Sequence, residues 1–296
     1  MGLISRRTFL QAAAAAGVCA AFGSGGEAVA AYPLGLPLGL QLYSVRELLP
    51  KDYDGTLQKL GALGYREVEA AGFFHHSASE VKQAMGRAGL NCVGAHYSLE
   101  KLQPQLDEII QFGKDLGLEF IICAAPMAKN AGAASKAPLT LEDWRWNAEQ
   151  FNRIGERMHA AGLGFGYHNH MHEFREDHGV LPYNELLRLT DPQYVKMELD
   201  SGWMVLGGQN PAYYLERYPE RYYMLHVKDF KIVGTVNPAA PPPSTELGHG
   251  SIDYRPIFEA AKKTRVKHVF VEQEEFDMAP MEALRIDAEY MKALKV

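Results

Sequence analysis

Eight short apolar runs, each followed by a stretch with helical spacing, constrain this chain more than any other feature. They lie at 39–43, 67–70, 91–96, 119–124, 164–168, 195–200, 222–227 and 268–272. Between them apolar side chains recur every three to four residues, as at Leu57, Leu60 and Leu63, or at Leu106, Ile109, Ile110 and Phe112. Several of these stretches stop at a glycine (Gly64, Gly89, Gly117, Gly162), the usual helix terminator. Strands alternating with helices build a parallel sheet. Eight such units with no leftover half-domain predict an α/β protein closed into a (β/α)8 barrel. No G-x-G-x-x-G motif follows the first run, which speaks against a dinucleotide-binding sheet.

Ahead of the barrel the sequence reads as a targeting segment. Ser5-Arg6-Arg7-Thr8-Phe9-Leu10-Gln11 has the twin-arginine export pattern, followed by an Ala/Gly-rich stretch and the A-x-A site Ala28-Val29-Ala30. The expected organisation is a signal peptide at 1–30 and one barrel domain at 31–296, delivered to the periplasm or beyond. The Ala/Gly stretch is too weakly apolar to be a stable membrane anchor. Val18 before Cys19 does not suit a lipid-attachment site. Only Cys92 and Cys123 follow the segment, so no disulfide framework is expected. A formal net charge of −6 argues against a nucleic-acid partner. Nothing in the sequence excludes a homo-oligomer.

The last four runs finish on metal-binding side chains: His168, Asp200, His226 and Glu272. In a parallel barrel the C-terminal strand ends share one rim, where catalytic groups gather. Mixed nitrogen and oxygen donors suit Mn²⁺, with Co²⁺, Fe²⁺ and Zn²⁺ as alternatives, better than they suit Ca²⁺. A lone strand histidine is more often a hydrogen-bonded core residue, and Asp200 before Ser201-Gly202 is a natural turn former. Four such residues at one end of one barrel favour the metal reading. Alternation puts His170 on the face of His168, as a proton-transfer group. Glu173 is a candidate base or alternative ligand, while His172 points away. Glu69, His96 and Lys228 complete the rim, the first two as substrate contacts and Lys228 as an oxyanion stabiliser. Among the aromatics, Trp203 is the expected substrate contact because it follows Asp200 by three residues. Two long segments, 125–138 and the Pro-rich 233–250, read as pocket walls or a lid.

Met197-Glu198-Leu199-Asp200-Ser201-Gly202-Trp203, His226-Val227-Lys228-Asp229, Gly248-His249-Gly250-Ser251-Ile252-Asp253 and Val271-Glu272-Gln273 resemble the sugar isomerase/epimerase group with xylose-isomerase-like TIM barrels. The resemblance covers essentially all of 38–296 and is poor at fixing the substrate. It implies four ligands from strands five to eight, usually Glu, Asp, His and Glu, which map to His168, Asp200, His226 and Glu272. The departure is His168, where many relatives carry a carboxylate that doubles as base. Tyr167-His168-Asn169-His170 is also similar to the paired-histidine segment of inosose dehydratases.

The leading expectation is therefore a divalent-metal-dependent isomerase or epimerase of a non-phosphorylated sugar or keto-sugar, working through an enediolate with Glu272 or His170 as base. The alternative is a dehydratase or lyase of a keto-sugar, keto-inositol or 3-keto-glycoside, which expels a β-leaving group from the same intermediate. A non-catalytic sugar binder has no use for four convergent ligands. A metallonuclease would need a basic groove.

Overall fold

The computed structural model describes residues 32–130 and 138–296. The expected signal peptide lies outside the described residues, as does the middle of the loop at 125–138. Eight parallel strands close into a barrel: β1 (Leu38–Gln41), β2 (Glu67–Ala70), β3 (Asn91–Ser98), β4 (Phe120–Ala125), β5 (Gly164–His168), β6 (Val195–Asp200), β7 (Tyr222–Val227) and β8 (His268–Val271). Neighbours in sequence are neighbours in the sheet, and β8 closes on β1 with Leu38 opposite Val269 and Leu40 opposite Val271. The expected TIM barrel is the observed fold. Among the described residues no helix is long and apolar enough to cross a membrane.

The strand ends differ from the expected runs where side chains intervene. The Gln41 side-chain oxygen accepts from the Tyr43 N–H at 3.0 Å, which turns Leu42–Val45 into a 3-10 helix. Tyr43 therefore sits on the rim instead of in β1. At the other end of the chain β8 stops at Val271, although the Glu272 N–H still donates to the Val227 carbonyl at 3.0 Å. Helix starts follow local capping chemistry: Ser77 with Glu80, and Thr140 with Asp143, form reciprocal capping boxes. Gly89 and Gly117 end their helices in the left-handed region, at φ 65° and 89°, where other residues are strained. Cys92 and Cys123 are buried free thiols.

Each strand turns one face to the surrounding helices and the other down the barrel axis. The outward face is apolar on every strand, with Leu40, Val68, Cys123, Tyr167, Met197, Leu199, Leu225, Val227 and Val271 in the main core. The inward face changes character along the axis. Towards the N-terminal ends of the strands Val93, Phe120, Ile122, Met224 and Phe270 form a separate apolar plug. Above it the inward residues are polar, and all but His96 are buried: Gln41, Glu69, His96, His168, Glu198, Asp200, His226 and Glu272. A side chain at Gly94 would place its Cβ 2.9 Å from Glu69 Oε1, so glycine there makes room for that carboxylate.

Past β7 the pair Asp229–Phe230 and Ser244–Thr245 is antiparallel, with the Pro-rich segment looped between its strands. The Asp229 carboxylate accepts from the backbone N–H groups of Phe230, Gly248, Gly250, Ser251 and Ile252 at 2.9–3.2 Å. This one buried side chain fastens the Gly-rich return segment under the rim.

Candidate metal centre

Asp200 shows how local structure and site are built together. Its Oδ1 caps the helix Ser201–Leu206 by accepting from the Trp203 N–H at 2.7 Å. Its Oδ2 is buried and has no hydrogen-bond partner. That oxygen lies 4.0 Å from His168 Nε2 and 4.0 Å from His226 Nδ1, and His226 Nδ1 is 3.1 Å from Glu272 Oε2. One donor atom from each of the four residues falls within 4.8 Å of all the others. An orphaned buried oxygen facing two imidazole nitrogens and a second carboxylate fits a divalent ion, since a buried polar atom without a partner is costly.

The electrostatics of these residues follow from burial and from mutual charge. Burial pushes Asp200 up to about 7, with Glu272 adding to the rise against Lys228 and His226. Burial lowers His168 to about 4, assisted by His226. Burial also works against a charge on Glu272, but Lys228 and His226 hold its carboxyl well below the usual carboxylate range.

A cavity of about 390 Å³ opens above the four donors. His96, His168, His170, Trp203 and Glu272 line it, joined by Tyr43, Lys101 and Glu274. A larger cleft, about 560 Å³, lies between residues 32–35 and 292–296 and contains none of the ligating clusters, so the chemistry belongs to the smaller one. The His170 ring lies 4.9 Å from that of His168 and 5.9 Å from Trp203, and His172 is exposed. The Pro-rich segment 233–250, expected as a pocket wall or lid, contributes no residue to the lining of this cavity; from the other long loop Ala125 does.

Three residues singled out from the sequence do not line the cavity. Glu69 is fully buried beneath the donors, where Oε2 meets Gln41 Nε2 at 2.7 Å, His96 Nε2 at 2.8 Å and His226 Nε2 at 2.9 Å. Glu173 faces back from β5: the Tyr167 hydroxyl and the His170 N–H both donate to its Oε1, the latter at 2.9 Å. It anchors the segment that carries His170. Lys228 is fully buried, paired with Glu274, 3.5 Å from Glu272 Oε2 and 4.7 Å from the centre of the Trp203 ring. Burial opposes its charge, but Glu272, Asp200 and Glu274 raise the ammonium above its ordinary value.

Sequence reasoning passed over Glu198 and Glu274. Both stand two residues from a named ligand, Asp200 and Glu272; period-two alternation is the signal that would have found Glu198, whereas Glu274 lies past the end of β8. Glu198 Oε2 lies 2.7 Å from His96 Nε2 and 3.1 Å from His168 Nδ1.

Residues 57–294 match the family described as xylose isomerase-like TIM barrel. The chain belongs to that family. Among curated proteins, inosose dehydratase 2 of Bacillus cereus is 23% identical over 197 residues, covering 60% of this chain and 64% of that protein. This chain thus spans just under two thirds of that relative's length. A solved sugar phosphate isomerase/epimerase from Parabacteroides distasonis is 26% identical, with a TM-score of 0.71 over 87% of this chain and 94% of the other. The IOLI protein with a bound zinc atom, 12% identical with a TM-score of 0.66 over 86% and 96% of the two chains, shares the fold.

Proposed function

We propose that this protein is a divalent-metal-dependent sugar isomerase or epimerase, acting on a non-phosphorylated sugar or keto-sugar. The observation that carries this reading is the convergence of His168, Asp200, His226 and Glu272, of which His168 and Glu272 line the cavity, with Asp200 Oδ2 unpartnered. The ion, Mn²⁺ by preference and Co²⁺, Fe²⁺ or Zn²⁺ otherwise, would supply Lewis acidity to a substrate carbonyl and its neighbouring hydroxyl. The cavity lies within the range of about 300–1,000 Å³ usual for small-molecule sites. Trp203 and His170 offer a ring face and a polar edge beside the donors. Glu272 takes the proton from the carbon next to the carbonyl, the electron pair passes into an enediolate, and the proton returns to another carbon or another face. His170, whose segment is anchored by Glu173, relays that proton.

A second reading has support of its own. The family resemblance implies a carboxylate base where this chain has His168, and a curated relative is an inosose dehydratase. In that reading the enolate expels a β-hydroxyl or glycosidic oxygen, and His170 protonates the departing group. One experiment separates the readings: metal analysis of the purified mature protein, followed by solvent-deuterium exchange into a panel of sugars and 3-keto-sugars. Exchange with retention of all substrate oxygens supports isomerisation; stoichiometric loss of water or aglycone supports elimination. Metal-replete protein that does neither with any member refutes both.

The proposed location is the periplasm, reached by the twin-arginine route. Replacing Arg6 and Arg7 with Lys should strand the precursor in the cytoplasm, and unimpaired delivery would show another pathway.

A further inference from the structure

His168 and His226 each present one ring nitrogen to the candidate metal centre and the other to a second, deeper group of residues. His168 points Nε2 towards Asp200 and Nδ1 towards Glu198, at 3.1 Å. His226 reverses the atoms: Nδ1 faces Glu272 and Asp200, while Nε2 lies 2.9 Å from Glu69 Oε2 and 3.4 Å from Glu198 Oε2. His96 adds a third imidazole, its Nε2 2.7 Å from Glu198 and 2.8 Å from Glu69, with its ring parallel to that of His226 at 5.6 Å. Two fully buried carboxylates thus lie directly beneath the histidines of the centre.

The deeper set of His96, His168, Glu198 and His226 also brings its donor atoms within 4.8 Å of one another, and so competes as an ion site. Its spacing separates the two uses. Ligands about 2.1 Å from one tetrahedral ion stand roughly 3.4 Å apart. The contacts of His96 Nε2 with both carboxylates are much shorter and match charge-assisted hydrogen bonds of about 2.7–2.9 Å. In the upper set Asp200 Oδ2 stands 4.0 Å from either histidine and has no hydrogen-bond partner, while His226 Nδ1 and Glu272 Oε2 are 3.1 Å apart. One imidazole nitrogen carries the proton and the other keeps the lone pair, so the partner of one nitrogen decides what the other can do.

We infer that Glu198 is a positioning residue: its carboxylate, seconded by Glu69, holds the N–H of His168 at Nδ1 and that of His226 at Nε2, leaving His168 Nε2 and His226 Nδ1 as the metal-binding atoms. This rests on the metal reading proposed above and adds an atom-level assignment to it. Glu198 touches neither the cavity nor the donors' shared centre; it acts through the two rings. The opposite choice of ligand nitrogen in the two histidines follows from one acceptor group lying below both.

The test uses the mature protein labelled with ¹⁵N-histidine and loaded with Zn²⁺, with nitrogen protonation read by NMR and affinity by competition with a chelator. Expected are one ion per chain, a proton retained on His168 Nδ1 and on His226 Nε2, and ligation at the other nitrogen of each. Glu198→Gln should weaken Zn²⁺ binding roughly 10- to 100-fold, the range for loss of such a partner, while the apo protein keeps its circular dichroism and melting midpoint. Zinc that binds without touching His168 and His226 would overturn the metal reading itself. Zinc bound at those histidines, with Glu198→Gln at full affinity and unchanged protonation, would overturn only the role of Glu198. Two ions per chain, with His96 as a ligand, would make the deeper set a second centre and overturn it as well. If Glu198→Gln does not fold, the nitrogen assignment in the unaltered protein decides alone.

Discussion

Both ends of the barrel interior carry histidine and glutamate, and they use them differently. At the N-terminal mouth His268 Nδ1 meets Glu67 at 2.8 Å and its Nε2 lies 3.5 Å from Glu119, which also pairs with Lys267. Glu119 and Lys267 are each 44% exposed, so water and a lysine balance the charge there. At the C-terminal end Glu69, Glu198, Asp200 and Glu272 are buried, and the nearest cation beyond the imidazoles is Lys228. Oxygens of Glu69, Glu198 and Asp200 are left without partners. Residue type does not distinguish a surface ion-pair network from a candidate metal centre; buried carboxylate oxygens without partners do. Between the two ends sits the apolar plug, which keeps the upper carboxylates away from the solvent below.

The comparison breaks if the upper end proves to be an ion-pair network too. His226→Ala should have the largest effect, reducing metal occupancy of the purified protein to background while circular dichroism stays nearly unchanged. Asp200→Asn should act in the same direction, and full occupancy in both variants would remove the metal assignment. Next, Glu272→Gln should slow solvent-deuterium incorporation by about 10²–10⁴, the usual worth of a positioned base, even where excess metal restores occupancy. Undiminished exchange would move the base role to His170. The plug should answer in stability instead: Phe270→Ala is expected to cost about 3–5 kcal/mol, measured by denaturant unfolding of the apo protein, with metal affinity of the folded fraction unaltered. The smallest effect belongs to the lower mouth, where Lys267→Ala should change stability by less than about 1 kcal/mol and leave metal binding alone. A larger loss there would show that the lower network shares the upper end's burden.

How much of this was legible in the sequence follows from which physics each residue obeys. The strands at 67–70, 164–168, 195–200 and 222–227 have the expected bounds, because apolar runs and glycine stops are local signals. The end of the first strand was not legible: the cap that Gln41 gives to Tyr43 is a side-chain contact with no trace in hydropathy. His168, Asp200, His226 and Glu272 were readable as strand-end ligands, and the structure brings them together. Glu198 was hidden between Met197 and Leu199, where a polar residue reads as the solvent face of a strand. In this barrel helices cover the outer face of β6, so its polar residues at 198 and 200 point along the axis and are buried instead of solvated. Glu173 lies near the site in sequence, yet Tyr167 draws its carboxylate elsewhere, and Lys228, beside Glu272, pairs with Glu274. Such tertiary competition is invisible to spacing.

Asp229 has a consequence for how this scaffold can be altered. Because its carboxylate gathers five backbone N–H groups from both sides of the Pro-rich excursion, the ends of that excursion are fixed independently of what lies between them. Residues 231–243 therefore form a cassette held at both ends, whose length and composition can drift, or be exchanged by an engineer, while β7 and β8 keep their register.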